Sequence, residues 1–311
     1  MLLGLAEKIL NMALVLPARR LPALQKIVRY VATTIPISPG TRYLAQAKYA
    51  EMRSIFIGNG AASTYDQATR SRIVGAFERI HAEVEAAHPP TDALFIAETL
   101  LALECPGVIV ECGCYRGASA AKLSILARET GRRLLVFDSF EGLPEVDADL
   151  GPDFYVRDGS HPRWARGRYD GGLDLVKANI ERLGDLTVTS FYKGWFKDTL
   201  TATNITEPIA LAFTDVDLAS SARDCLVGLW PRLSDGGVLF SHDVAFLHAL
   251  QAMTDENLWR DVLGEQVPIL FGAGYGMCDA SPHLGFMVKG RNLSPAYLQK
   301  LAFHRARAAR S

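Results

Sequence analysis

The chain predicts an α/β fold: a doubly wound, mostly parallel seven-stranded sheet preceded by an N-terminal helical extension. Three observations carry this. The run Val108-Ile109-Val110 ends in Glu111-Cys112, and a turn bearing Gly113 and Gly117 leads into a helix-forming run from Ala118. About 20 residues further on, a second apolar run, Leu134 to Phe137, also ends in an acid, Asp138. Beyond it, short apolar runs alternate with amphipathic helical stretches, the pattern of repeated βα units.

Residues 66–87 place Ile73, Phe77, Ile80 and Val84 on one helical face, closed by Pro89-Pro90. Residues 93–103 read as a second helix, ended by Pro106-Gly107. Strand 108–112, helix 118–130 and strand 133–138 follow. A helix over 172–183 turns Leu173, Val176, Ile180 and Leu183 inward. Strands are expected at 186–192, 209–214 and 237–241, and helices at 219–233 and 250–263. Val267–Phe271 and Leu284–Val288 read as a closing hairpin. In such a sheet ligands bind beyond the carboxyl ends of the strands. Glu111, Asp138, Asp215 and His242-Asp243 all end strands, so they converge on one rim.

The stretch 139–171 is long and irregular, with Gly151-Pro152, His161-Pro162 and Gly171-Gly172. Loops of that length inside a domain usually serve function or are disordered, and this one leaves the rim beside the cofactor turn. It reads as a lid whose aromatics, Phe154, Tyr155, Trp164 and Tyr169, cover a substrate or hold the loop down.

Composition sets the class. Of 311 residues, 49% are hydrophobic and 22% charged, ordinary for a globular chain of one or two domains. A net charge of -1 gives no global drive towards nucleic acid. The five cysteines form no Cys-x-x-Cys pair, which points to a reduced, cytoplasmic chain. Residues 1–64 read as a basic amphipathic arm, 65–290 as the catalytic domain and 291–311 as a basic tail. Residues 1–50 hold seven Lys/Arg against one acid, Glu7, and Leu2, Leu5, Ile9 and Leu10 recur at helical spacing. No uncharged run there reaches the length of a membrane span. The arm is expected to pack on the domain or on a second subunit of a homo-oligomer, with peripheral contact to a membrane surface as the alternative.

The glycine turn selects among cofactors. A dinucleotide needs a glycine-rich turn whose backbone meets a pyrophosphate at a helix N-terminus. Here Cys114 and Tyr115 crowd that place. Acid-x-Gly-x-x-x-Gly suits a compact zwitterion such as S-adenosylmethionine (SAM), with Glu111 facing its ammonium end and Asp138 its ribose.

A second constellation lies further on. One strand ends Phe213-Thr214-Asp215-Val216-Asp217 and another Phe240-Ser241-His242-Asp243. Carboxylates with one imidazole suit Mg²⁺ or Mn²⁺ better than zinc. Such an ion would bind and acidify a substrate hydroxyl; alternatively, His242 is a general base. Asp215 and Asp217 also suit capping of the following helix. Among His81, His88, His161, His248, His283 and His304, only His161 in the lid reads as a further candidate.

Glu111-Cys-Gly-Cys-Tyr-Arg-Gly-Ala-Ser119, Phe137-Asp-Ser-Phe-Glu-Gly-Leu-Pro144, Lys193-Gly-Trp-Phe-Lys-Asp-Thr-Leu200 and Asp215-Val-Asp-Leu218 resemble the macrocin/mycinamicin-type sugar O-methyltransferases. The resemblance covers roughly residues 65–245 and implies a Rossmann-like SAM methyltransferase fold, a divalent metal and a hydroxyl acceptor on a sugar or glycosylated small molecule. It also implies that Glu111, Gly113, Tyr115, Ser119, Asp138 and Ser139 line the cofactor, with Gly194 and Trp195 near its adenine. By the resemblance Asp215 and Asp243 would hold metal; with the neighbouring imidazole read from the residues as a further ligand or base, the expected metal set is Asp215, His242 and Asp243, and the expected catalytic pair Asp215 and His242. One departure stands out: the family usually has two adjacent aspartates after the fifth strand, and here the first is His242. The sequence thus reads as a SAM-dependent O-methyltransferase. An NAD(P)-dependent oxidoreductase and a non-catalytic methyltransferase-like module are the alternatives.

Overall fold

The computed structural model describes residues 39–145, 166–272 and 283–290. Most of the lid, with Phe154, Tyr155, Trp164 and His161, lies outside the described residues, as do residues 1–38 of the arm and the C-terminal tail. The chain divides between Glu51 and Met52 into two units. The first helix, α1, runs from Pro39 to Gly58. Among the described residues no helix is long and apolar enough to cross a membrane.

The second unit carries the sheet. Helices α2 (Gln67–Glu83) and α3 (Pro90–Ala102) precede β1 (Val108–Cys112), α4 (Ala118–Glu129) and β2 (Leu134–Asp138). Then come α5 (Leu173–Leu183), β3 (Thr189–Lys193), the short α6 (Phe196–Thr199) and β4 (Ile209–Thr214). Helix α7 (Ala219–Leu229), β5 (Leu233–Ser241), α8 (Leu247–Met253) and β6 (Gly285–Val288) complete it. The strand order is β3-β2-β1-β4-β5-β6. All neighbours are parallel except β5 and β6. The winding direction reverses between β1 and β4, the switch point at which doubly wound sheets bind ligands.

Six strands form among the described residues, against the seven expected. The missing one is the first arm of the closing hairpin. Pro268 has no amide to give to a ladder. Only Phe271 pairs, exchanging two 2.9 Å bonds with Phe286. The helix expected over 250–263 is broken in two. Thr254 Oγ1 donates back to the Leu250 carbonyl at 2.8 Å, and Asp255 Oδ1 accepts from the Asn257 amide at 3.0 Å. Those bonds close one helix and start a separate π-helical turn, Leu258–Leu263. The first residues of the strand expected at 186–192 form a 3-10 turn, Leu186–Val188, capped by Asp185.

Alternation along the strands makes two buried layers. Val110, Leu135, Ala212 and Leu239 share one layer with Leu226 and Leu229 of α7 and with Trp230 and Trp259. The two indoles meet edge to face, 4.8 Å apart. On the other side α4 packs on β1 and β2, with α2 and α3 against α4. A buried ion pair, Arg70 with Glu98, ties α2 to α3. Arg70 also donates to the Phe56 and Tyr65 carbonyls, both at 3.0 Å. This pair anchors the later turns of α3, whose first turn carries Asp92 to His242 at the sheet rim.

Candidate active site

Beyond the carboxyl ends of β1, β2 and β4 lies a cavity of about 440 Å³. The strand ladder continues past its ends to shape the wall. Gly113 N donates to the Phe137 carbonyl (3.0 Å), Asp215 N to that of Cys112 (2.9 Å) and His242 N to that of Thr214 (2.9 Å). Four non-glycine residues with positive φ cluster here: Tyr115 (48°), Phe140 (55°), Tyr169 (61°) and Asp217 (61°). Each such conformation costs on the order of 1–3 kcal/mol and persists where surrounding structure enforces it. Gly113 is required by contact as well as by its φ of 83°, because a Cβ there would stand 1.9 Å from the Asp215 carbonyl oxygen.

One end of the cavity is built by the β1 and β2 turns. Gly113, Tyr115, Ser119, Asp138, Ser139, Gly194 and Trp195 all line it. Asp138 Oδ2 accepts from the Cys114 amide and Oδ1 from the Phe140 amide, each at 2.7 Å. Burial raises its pKa, and these amides offset part of the rise. Ser139 Oγ donates to the Gly142 carbonyl at 2.8 Å and closes the turn that carries Leu143 and Pro144 to the wall. Trp195 remains 39% exposed and offers an aromatic face. Glu111 is placed differently: it is 0% exposed behind the glycine turn, and neither carboxyl oxygen has a hydrogen-bond partner. Burial, the largest cause, pushes it up to about 8.

The other end is a chain of four polar side chains. His88 Nε2 lies 2.7 Å from Asp215 Oδ2. Asp215 Oδ1 lies 3.6 Å from His242 Nδ1, and His242 Nε2 lies 3.1 Å from Asp92 Oδ2. Burial alone would raise Asp215, but the flanking His88 and His242 hold it well below the usual carboxylate range. Burial pulls His242 down, yet its bonds and charge contacts with Asp215 and Asp92 outweigh this and lift it to about 10. Asp243 is buried behind the wall. Its Oδ2 accepts from the amides of Val216 (2.9 Å) and Asp217 (3.1 Å), while Oδ1 has no partner. Burial and the nearby Asp215 and Asp217 raise its pKa well above normal. Side-chain atoms of Asp215, Asp217 and Asp243 lie within 4.8 Å of one another, as do those of His88, Asp215 and His242.

The structure thus gathers Asp215 and His242 at the cavity wall with Asp243 just behind them. His88 and Asp92 join them, although no sequence motif singles them out. They stand 127 and 150 positions from their partners, on the Pro89-Pro90 bend and the first turn of α3. The only local signal was a His–Pro junction at a helix start.

Residues 94–268, more than half of the chain, match the family model described as macrocin-O-methyltransferase (TylF). The chain is 40% identical over 166 residues to the 8-demethyl-8-(2,3-dimethoxy-alpha-L-rhamnosyl)-tetracenomycin-C 4'-O-methyltransferase of Streptomyces olivaceus, covering 52% of this chain and 62% of that protein. It is 31% identical over 168 residues to the demethyldecarbamoylnovobiocin O-methyltransferase of Streptomyces niveus, covering 51% and 61% respectively. The chain therefore spans about six-tenths of the length of these curated relatives. Its fold is similar to that of the O-methyltransferase NovP, with a TM-score of 0.50 at 20% identity over 79% of this chain and all of that one. Together with the strand-end acids and the glycine turn, the match over residues 94–268 shows that the chain belongs to the macrocin O-methyltransferase family.

Proposed function

We propose that the protein is a SAM-dependent O-methyltransferase that methylates a hydroxyl on the sugar of a glycosylated small molecule. One observation carries the reading. A single cavity joins an aromatic, glycine-turn end at Asp138 and Trp195 to a charged end at Asp215 and His242. The first end suits an adenosyl group: an acid for the ribose, an exposed indole for the base, and a glycine where backbone approaches closely. Cys114 and Tyr115 occupy the turn where a dinucleotide pyrophosphate needs bare backbone, which disfavours the oxidoreductase alternative. The sugar acceptor is supported by the rhamnosyl substrate in the name of the tetracenomycin relative.

When bound, SAM supplies a methyl group already activated on a sulfonium. The protein must align the acceptor oxygen and receive its proton. Asp215, held ionised, is the acceptor for a hydrogen bond from the hydroxyl, and the His88–Asp215 pair stands where the proton leaves. Without a bound ion, its contacts with Asp215 and Asp92 lift His242 to about 10, so in that state it steadies Asp215 as a cation rather than acting as a free base; as a metal ligand it would have to be neutral.

The residues also fit a divalent cation. The unpartnered Asp243 Oδ1 and three carboxylates within 4.8 Å of one another mark a place where negative charge lacks compensation. Asp215 would hold it, with His242 and Asp243 from the neighbouring strand. The ion would lower the hydroxyl pKa and fix its position.

Calorimetry with SAM tests the cofactor end. Charge-assisted hydrogen bonds contribute about 1.5–3 kcal/mol, so Asp138→Asn should weaken SAM by roughly one to two decades. Unchanged affinity in the folded variant would remove Asp138 from the cofactor site. A mass-spectrometric methylation assay on glycosides should lose turnover in EDTA; full turnover in EDTA would remove the cation from the mechanism.

A further inference from the structure

Behind the wall of the site, between α2, α3, α4 and β4, lies a second and much smaller cavity of about 20 Å³. We propose that it binds one water molecule, which links the buried Lys122 ammonium to Asp92 and His88, and that Lys122 is thereby a positioning residue for methyl transfer. The role of Lys122 rests on the methyltransferase reading above; the water site stands on the geometry alone.

The buried ammonium carries the argument. Lys122 is 4% exposed and lines this cavity. None of the hydrogen bonds or ion pairs among the described residues uses it. Its three N–H donors are costly to bury without acceptors. Burial lowers its pKa to about 8, and the charges of Asp92 and then Glu111 oppose a larger fall. One water needs about 10–15 Å³ and two to four polar partners. The cavity has the space, and its wall carries four polar side chains, Lys122, Asp92, Ser119 and His88. The rest of the wall is apolar, with Phe77 and Phe213. The Lys122 charge repels a cation and the Asp92 charge an anion, so a small neutral molecule that both donates and accepts fits best.

Both flanks of Asp215 lead back to this cavity. On one side His88 Nε2 lies 2.7 Å from Asp215 Oδ2; an ionised carboxylate only accepts, so that nitrogen donates. Nδ1 is then the ring nitrogen that His88 can offer the water. On the other side His242 Nδ1 faces Asp215 Oδ1, and His242 Nε2 lies 3.1 Å from Asp92 Oδ2. A water touching Asp92 and His88 closes the run Asp92–His242–Asp215–His88 into a ring, with the Lys122 charge behind it. His88 and Ser119 line both cavities, so they form the partition between them. A bridging water holds polar groups nearly as well as a direct bond does. Lys122 thus acts through the water on His88, and through His88 on the aim of Asp215.

The test is a crystal structure of the full chain at a resolution that shows ordered water, unmutated and as Lys122→Met, which keeps an unbranched stem without the charge. One water is expected in the unmutated cavity, within hydrogen-bond distance of Lys122 Nζ and of Asp92 or His88, and none at that place in Lys122→Met. A dry cavity in the unmutated protein, or a water that stays in Lys122→Met, overturns the assignment; if Lys122→Met does not fold, the unmutated density decides it. In the glycoside methylation assay Lys122→Met should lower kcat about tenfold, the size of one hydrogen bond, with SAM affinity and acceptor KM within about a factor of three. Lys122→Gln, which retains an N–H donor, should recover most of that loss. An undiminished kcat in Lys122→Met, a parallel fall in SAM affinity, or a Lys122→Gln as slow as Lys122→Met would strip Lys122 of its positioning role. SAM calorimetry on the unmutated chain reads the methyltransferase assignment separately: no binding there would refute that reading and leave the water site standing.

Discussion

Glu111 shows what burial does to a single side chain on this rim. Its carboxyl is fully buried and pushed up to about 8. An unfolded carboxyl titrates near 4.3. The folded chain therefore binds more protons than the unfolded chain between about pH 5 and 8, and stability falls as pH rises through that window, by at most about 1.4 kcal/mol per unit. Lys122, lowered by burial to about 8, adds its opposite effect only above that point. Glu111→Gln should match the unmutated protein near pH 5 and exceed it in stability at pH 8. Denaturant melts at both pH values measure this, and parallel curves would contradict the assignment. At this scale the sequence was partly legible. Acids at strand ends announce themselves, and Asp138 and Asp215 both line the cavity. Glu111 has the same signature, but strand alternation turns its side chain away from the cavity towards α4. His88 and Asp92 carry no signature, because their partners come from strands more than a hundred positions away.

Among the elements, α3 depends on a contact that no periodicity reveals. Arg70 and Glu98 are buried together, and Arg70 also satisfies two backbone carbonyls. Removing one member of such a pair strands the other, at about 3–5 kcal/mol. Glu98→Ala should lose that much by chemical denaturation; a loss below 1 kcal/mol would show the pair to be dispensable. Strands β1, β2 and β4 were readable because buried parallel strands are short unbroken apolar runs bounded by turns. Boundaries failed where a side chain competed with the backbone ladder. Thr254 and Asp255 split one expected helix, Asp185 turned a strand start into a 3-10 turn, and Pro268 left a single pair where a strand was expected.

For the whole molecule, the switch point between β1 and β4 explains why residues spread over some 130 positions meet at one cavity. The order of the strands was not in the sequence, but the right-handed βα rule leaves few alternatives. The basic stretch at residues 1–50 lies apart from every residue of that cavity in sequence. We propose that it serves packing or location. Deleting it should leave SAM affinity within about a factor of three by calorimetry and alter oligomeric state or liposome association instead. A monomeric, unaggregated truncation unable to bind SAM would contradict that. The central claim is that one end of the cavity holds the adenosyl group and presents its sulfur to the Asp215 corner. A crystal structure with S-adenosylhomocysteine tests it most directly. The ribose should lie against Asp138, the adenine beside Gly194 and Trp195, and the sulfur should face Asp215 and His242. A nucleoside bound elsewhere, or a sulfur turned away from Asp215, would contradict the account.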